Sequence, residues 1–427
     1  MNTKRLTDYL GRNGLKSTCY AVLQHIKDRA EDVRYDRARA SYTASGEELD
    51  RQRSHVWDEG CRPLISILVP VYKPKNEYFR QMLRSVRAQT YGSYELILGY
   101  GGGISENTNA ALSEAKGDYI ALLDQDDMIE PDALFYIAEE INKGARLIYT
   151  DEDKYDTGSG RYLRPFRKKG FDMELLLSNN YICHFLVIDR ELVLEAGGFR
   201  SEYDGAQDHD LIIRCAERLD RNEIAHVDRI LYHWRIHDES TAGDPAAKDY
   251  AHLAGKRAIE DHLKRCGMGG RVTETAHRGF YRVVYDDRAR GSCVHGIKDY
   301  EMYLEPDISP EKDRSISDMA AYLAANKDVG AIGGRVVDRM GHIISSGYTE
   351  DTDGHLIPLY QGMNRNLSGK FHMASLRQEV SAVSRHCVML RKETVDCMDT
   401  DTGRMCRKIK EKGYRIVIDP EHVFIRR

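Results

Sequence analysis

The first sharp hydrophobic pattern is Leu64-Ile65-Ser66-Ile67-Leu68-Val69-Pro70, a β-branched run closed by proline, which predicts a strand buried on both faces. Phe79, Met82, Leu83 and Val86 then recur at helical spacing over 78–89, and Tyr94-Glu95-Leu96-Ile97-Leu98 reads as a second strand. A helix over 107–116 leads to a third strand, Tyr119-Ile120-Ala121-Leu122-Leu123, which runs straight into Asp124-Gln125-Asp126-Asp127. Strands alternating with helices predict βαβ units and a mostly parallel sheet, whose ligands bind at the carboxyl ends of the strands. The acidic cluster falls at such an end. Ahead of all this, Leu6, Tyr9, Leu10, Tyr20, Leu23 and Ile26 are loosely spaced at helical period. Residues 1–60 therefore read as a helical lead-in, whose Lys4, Arg5, Arg12 and Lys16 either touch anionic lipid or form a solvated face.

Composition narrows the class. The 427 residues are 41% hydrophobic, enough for one large domain or two ordinary ones. With 63 Lys plus Arg against 68 Asp plus Glu, the formal net charge is -5, which argues against nucleic acid as a partner. Nine cysteines lie scattered, without a CxxC pair or zinc spacing. A reducing, cytoplasmic setting is expected, because no signal-peptide core and no apolar run of spanning length are found, and it leaves room for contact at the inner face of the cell membrane.

Three carboxylates in four residues repel one another unless a cation joins them. Asp124 and Asp126, in a D-x-D arrangement, can present oxygens to one Mn2+ or Mg2+, hard ions that also grip a diphosphate. The alternative is an acidic surface turn. The surrounding motifs decide the weighting: Val69-Pro70-Val71-Tyr72, Gln89-Thr90-Tyr91, Gly117-Asp118-Tyr119, Tyr149-Thr150-Asp151-Glu152-Asp153, Asn180-Tyr181, Gly197-Gly198-Phe199-Arg200, Gly205-Ala206-Gln207-Asp208-His209-Asp210 and Tyr232-His233-Trp234-Arg235-Ile236-His237. In this order they resemble the family 2 glycosyltransferases, in particular tandem-domain bacterial enzymes of O-antigen and rhamnan type.

The resemblance implies an α/β GT-A fold: a Rossmann-like, mostly parallel central sheet with helices on both faces, followed by a partial second GT-A-like unit. It implies donor contacts from Pro70, Val71, Tyr72, Tyr100, Asp124, Gln125 and Asp126, and metal binding by Asp124 and Asp126 with His237, or else His233. Asp208 would be the catalytic base, with Gln207 and Asp210 orienting it; Asp210 serves equally well as a charge at a helix N-terminus. The activity implied is metal-dependent inverting transfer of a sugar from a UDP- or dTDP-type donor to a hydroxyl of a cell-surface glycan or lipid-linked acceptor, with a homo-oligomer as one assembly state. Trp234 can stack on a sugar or serve as a rim aromatic.

The match also breaks. The family's D-D-G-S-x-D motif after the second strand is replaced here by Gly99-Tyr100-Gly101-Gly102-Gly103. The base-reading Asp is missing. Backbone amides of the glycines and the Tyr100 ring can substitute for it, or the loop is simply shortened. A non-catalytic glycan-binding or partner-subunit protein is therefore the alternative reading. Further on, Asp299-Tyr300-Glu301-Met302-Tyr303-Leu304-Glu305-Pro306-Asp307 aligns with 118–126, putting Glu305 in place of Asp124. The expected division is a lead-in over 1–60, a GT-A domain over 61–275 and a truncated, non-catalytic unit over 276–427.

Overall fold

Two helices, α1 (Thr3–Ala38) and α2 (Gly46–Arg53), precede the apolar run, which forms β1 (Ile65–Pro70). The computed structural model describes residues 3–236, 245–275, 277–286 and 299–427. From β1 the chain passes through α3 (Asn76–Arg87) to β2 (Tyr94–Gly99), then through α4 (Ile104–Glu114) to β3 (Tyr119–Leu122). β2 and β3 flank β1, both parallel to it. These are the elements the hydrophobic pattern predicts, shifted by a few residues. Helix α3 buries Met82 and Val86 and exposes Arg80, Arg84 and Arg87, the division that a 3.6-residue period imposes.

Behind this parallel front the sheet is mixed. It continues with β4 (Met128–Ile129), α5 (Ala133–Asn142), β5 (Leu147–Asp156), β6 (Arg161–Phe166), α6 (Met173–Leu176), β7 (Leu186–Asp189), α7 (Arg190–Glu195), α8 (Gln207–Ala216) and β8 (Ile224–Ile236). The strand order is β2-β1-β3-β7-β5-β8-β4, with β6 on β5. β5 and β8 pair in parallel, whereas β7 runs antiparallel to both β3 and β5. Next come α9 (Pro245–Arg265) and the hairpin β9 (Gly270–Glu274) with β10 (Tyr281–Tyr285).

The second sheet contains β11 (Tyr300–Leu304), β12 (Ile308–Pro310), β13 (Val329–Val337), β14 (Ile343–Ser345), β17 (Gln378–Glu379), β18 (Cys387–Arg391) and β19 (Arg415–Arg426); β15 (Tyr348–Glu350) and β16 (Leu356–Pro358) pair separately, and α10 (Ser315–Ala325) and α11 (Thr402–Glu411) are the helices. Its order, β11-β18-β13-β19-β12, repeats β3-β7-β5-β8-β4, with the same sequence of antiparallel, antiparallel, parallel and antiparallel pairs. Registers correspond as well. Leu122 faces Leu186 as Tyr303 faces Val388, and Met128 faces His233 as Ser309 faces Ile425. Carrying these offsets along each strand matches Asp124 with Glu305, Asp126 with Asp307, His184 with His386, and Trp234 with Arg426. Among the described residues, nothing in the second sheet corresponds to β1 and β2.

The two halves share one core. The cluster on the α4, α8 and α9 side of the first sheet includes Leu112, Leu211 and Ile259 and continues through Tyr281 and Tyr285 to Met319 and Tyr322. Charged groups are buried along this seam. Asp419 is fully buried and accepts Arg282 Nη1 at 2.8 Å and Arg377 Nε at 2.8 Å. Asp172 accepts the Glu379 N–H at 2.8 Å, while Glu174 lies 4.0 Å from Arg377 and 3.8 Å from Arg415. Burial alone would raise the Asp419 carboxyl; Arg282, Arg377 and His422 instead hold it well below the ordinary range. Its contribution is present above about pH 4 and is lost as the pH falls further. Asp419→Asn takes the shared carboxylate from the buried Arg377 and the partly buried Arg282 and is expected to cost roughly 3–5 kcal/mol. Denaturant melts of the full chain should show one destabilised transition; two separate transitions would sink the view that the halves unfold as a unit.

Candidate active site at the carboxyl end of the third strand

The loop from β3 to β4 carries the acidic cluster, and each of its side chains has a different environment. Asp127 is buried; it accepts Tyr232 Oη at 2.6 Å and the Arg235 N–H at 2.7 Å, both from β8. Burial and the charges of Asp124 and Asp126 push its carboxyl well above the usual range, opposed by those two hydrogen bonds. It anchors the loop. Gln125 accepts the Tyr72 N–H at 2.9 Å and donates to the Tyr72 carbonyl at 2.8 Å, tying the loop to the end of β1. Asn107 Nδ2 reaches the Val71 carbonyl at 3.1 Å. Pro70, Val71, Tyr72, Gln125 and Asp124 thus come together on one rim.

Asp124 lies on the open side, its side chain 43% exposed and its Oδ2 4.0 Å from His184 Nε2. Although the carboxylate is reached by solvent, surrounding protein desolvates it, and with repulsion from Asp126 and Asp208 this raises its pKa, against the pull of His184. The His184 ring stacks on Tyr232, with centroids 4.5 Å apart, and meets Trp234 edge-on. One ligand atom from each of Asp124, Asp127 and His184 falls within 4.8 Å of the others. With metal–ligand bonds of about 2.1 Å, two ligands of one ion stand up to about 4.2 Å apart, so Asp124 and His184 fit a shared cation. Asp127 is already spoken for by β8.

Asp208 occupies the first turn of α8. Asn180 Nδ2 donates to its Oδ2 at 2.8 Å, and Asn180 Oδ1 accepts the Cys183 N–H at 3.2 Å, which fixes the amide's orientation. The segment carrying Asn180 is pinned by the β9–β10 hairpin, through Tyr281 N to the Ser178 carbonyl at 2.9 Å and Asn179 Nδ2 to the Gly279 carbonyl at 3.1 Å. Asp208 is thereby held where Asp124 feels its charge.

Several expected site residues are placed elsewhere. Gln207 turns to its own loop, accepting the Gly205 N–H at 2.8 Å. Asp210 is fully buried between Arg200 and Arg214, with Arg214 Nη2 at 2.6 Å, and is a structural anchor rather than part of the open site. His233 is unavailable to a metal, because Nδ1 is 2.6 Å from Asp153 and Nε2 3.0 Å from Glu130. His237 lies outside the described residues. The Tyr100 ring is 59% exposed. The glycine amides are used locally: Gly102 N–H donates to Asn107 Oδ1 at 2.7 Å and Gly103 N–H to Glu106 Oε2 at 3.1 Å. A Cβ at Gly99 would stand 1.8 Å from the Asn107 carbonyl oxygen, so glycine there serves the close approach of α4. Lys154 covers one face of Trp234, 3.9 Å from the ring centroid.

Sequence reasoning passed over His184, and also Lys168, whose buried ammonium binds Glu152 at 2.9 Å and the Ile182 carbonyl at 2.5 Å. Glu152 in turn accepts the His184 N–H at 3.4 Å. His184 follows Asn180-Tyr181 by three residues, a proximity that was the available signal.

Residues 98–196 match the family model Glycosyl transferase family 2. That stretch, from the end of β2 through α7, is similar to the family 2 glycosyltransferases. The sheet that holds it is α/β, as expected, parallel in front and mixed behind, with helices on both faces. The chain is 40% identical over 234 residues to an uncharacterized protein of Sinorhizobium fredii, covering 48% of this chain and 26% of that protein. It is 33% identical over 258 residues to the O-antigen biosynthesis protein RfbC of Myxococcus xanthus, 53% of this chain and 20% of that one. To the chondroitin synthase of Pasteurella multocida it is 26% identical over 209 residues, 42% of this chain and 21% of the synthase. It thus spans about a quarter or less of the length of these relatives. Among solved structures, TarS of S. aureus in complex with UDP aligns at 15% identity and TM-score 0.33, over 47% of this chain and 71% of that one. The mannosyltransferase PcManGT of Pyrobaculum calidifontis, in complex with GDP-Man and Mn2+, aligns at 14% identity and TM-score 0.32, over 58% and 85%.

The first sheet holds His233 as a buried cation. Burial lowers its affinity for a proton, but Asp153 and Glu130 outweigh that and push its pKa up to about 9. Raised above the unfolded value near 6.5, this group stabilises fully below about pH 6.5 and progressively less as the pH rises through 9. His233→Gln should therefore cost on the order of 3 kcal/mol at pH 6 and clearly less at pH 10. Denaturant midpoints at both pH values read this; an equal loss at each would rule the imidazolium out.

Proposed function

We propose that the chain transfers a sugar from a nucleoside diphosphate donor of UDP or dTDP type to a hydroxyl of a cell-surface glycan or lipid-linked acceptor, with inversion and with a divalent metal. The carrying observation is Asp208, locked by Asn180 and facing an acidic strand end shared with His184. Asp208 has one oxygen held by Asn180, leaving the other to take the acceptor's proton as its oxygen attacks the anomeric carbon. Asp124, Asp126 and His184 would hold Mn2+ or Mg2+, with His237 as a further candidate. When bound, such an ion neutralises the charge that develops on the departing diphosphate. Gln125 fixes Tyr72 to the β3–β4 loop and Asn107 fixes Val71 to α4, which holds this rim in place beside the donor. A lipid-linked acceptor would place the work at the inner membrane face; no helix among the described residues is long and apolar enough to cross a membrane.

The second half supports this by contrast. There Arg426 reaches Asp307 at 2.8 Å and Glu305 at 3.3 Å, and His386 also contacts Glu305. A guanidinium stands among the acids that match Asp124 and Asp126. In the first half the matching strand position is Trp234, which brings no charge. We read the second unit as non-catalytic on this ground. One observation favours the alternative of a glycan-binding protein without turnover: the glycine loop spends its amides on α4 and offers no base-reading acid.

Asp208→Asn should lower transfer by about 100-fold or more while leaving donor binding intact; near-native turnover would remove Asp208 as the base. Asn180→Ala should lower turnover by about 10-fold or more with KM for donor unchanged, the mark of a positioning residue. Calorimetry with UDP and with dTDP, each with and without Mn2+, separates the two readings. Metal-dependent heat supports transfer, and equal or absent binding in both conditions supports the binding protein.

A further inference from the structure

Helix α1 divides its charge across its width. On the side facing the body, Asp32 accepts the Arg164 N–H at 2.7 Å, Asp36 accepts the Tyr162 N–H at 3.0 Å, and Glu31 pairs with Lys370 at 2.5 Å. Lys27, Arg29, Arg34 and Arg37 are exposed instead. Between them runs an apolar stripe in which Leu15 is 70%, Leu23 55% and Ile26 59% exposed, continued by Val33. At about 100° per residue, Leu15, Cys19, Val22, Leu23, Ile26 and Val33 lie within an arc of roughly 100°. Arg29 borders this arc on one side, and Lys27 and Arg34 on the other.

We infer that this face of α1 lies on an anionic lipid surface, its apolar stripe at the level of the headgroups and its cations against the phosphates. The pattern is that of an interfacial amphipathic helix: exposed apolar residues framed by Lys and Arg, with acids on the opposite side. A second copy of the chain fits the stripe less well. Pairing two such helices in either direction brings cations against cations, and the acids that would relieve them are committed to β6 and Lys370. The inference is independent of sugar transfer, since a lipid surface binds the helix whether or not the acidic cleft turns over.

Sedimentation of the full chain with vesicles tests it directly. The protein should pellet with phosphatidylcholine vesicles containing about a third phosphatidylglycerol and far less with phosphatidylcholine alone, and added salt should weaken the association. Replacing Lys27, Arg29 and Arg34 together by Gln should weaken binding by roughly 100-fold, about fivefold for each cation. Leu23→Ser with Ile26→Ser should abolish it, while circular dichroism and the thermal midpoint of the rest of the chain stay unchanged. Sedimentation velocity supplies the opposite outcome. A dimer that the Leu23→Ser, Ile26→Ser protein loses, together with no preference for anionic vesicles, would overturn the proposal in favour of a second copy.

Discussion

Negative charge gathered at the carboxyl end of one buried strand must be neutralised, and much of the surrounding structure follows from how that is done. Asp127 is handled internally, by a hydroxyl and a backbone N–H from β8. That solution fixes the loop against β8, and through the stacked ring of Tyr232 it also fixes His184. Asp124 has no comparable internal donor and keeps part of its surface open. The second half meets the same constraint with Arg426. One backbone arrangement thus appears twice in the chain, with a guanidinium set against its acids in one copy and a neutral indole at the matching strand position in the other.

Support for the open copy comes from a distance. Asn180 orients Asp208, the β9–β10 hairpin pins Asn180's segment, and Arg282 of that hairpin is clamped by Asp419 of the second half. A charged network buried along the seam is costly to assemble and more costly to break singly. The halves therefore gain their mutual placement from the same groups that would destabilise either half alone.

What the sequence made legible was local. β1, β2 and β3 announce themselves by short apolar runs, and the D-x-D loop and Asp208 by motif order. Asp210 and His233 look like site residues in the sequence because acids and histidines near a motif usually are candidates. Their true roles depend on Arg200 and Arg214, and on Asp153 and Glu130, contacts set by tertiary packing. His184 escaped for the opposite reason. Its value arises from proximity to Asp124, sixty residues earlier in the chain, which only the β3–β7 pairing creates. The glycine run was ambiguous as well, since glycine permits both ligand approach and helix approach, and the position of α4 decides between them.

The missing front of the second sheet has a consequence of its own. In the first sheet β3 is interior, covered by β1; its counterpart β11 has only β18 beside it among the described residues. Among the described residues β11 is thus a border strand where β3 is a central one, and a border strand offers unpaired backbone groups to any extended segment that comes near. β11 is only five residues long and carries Glu301 as its second residue. Brevity and a charge are the usual means by which proteins keep such a border from recruiting a neighbour, and β11 has both.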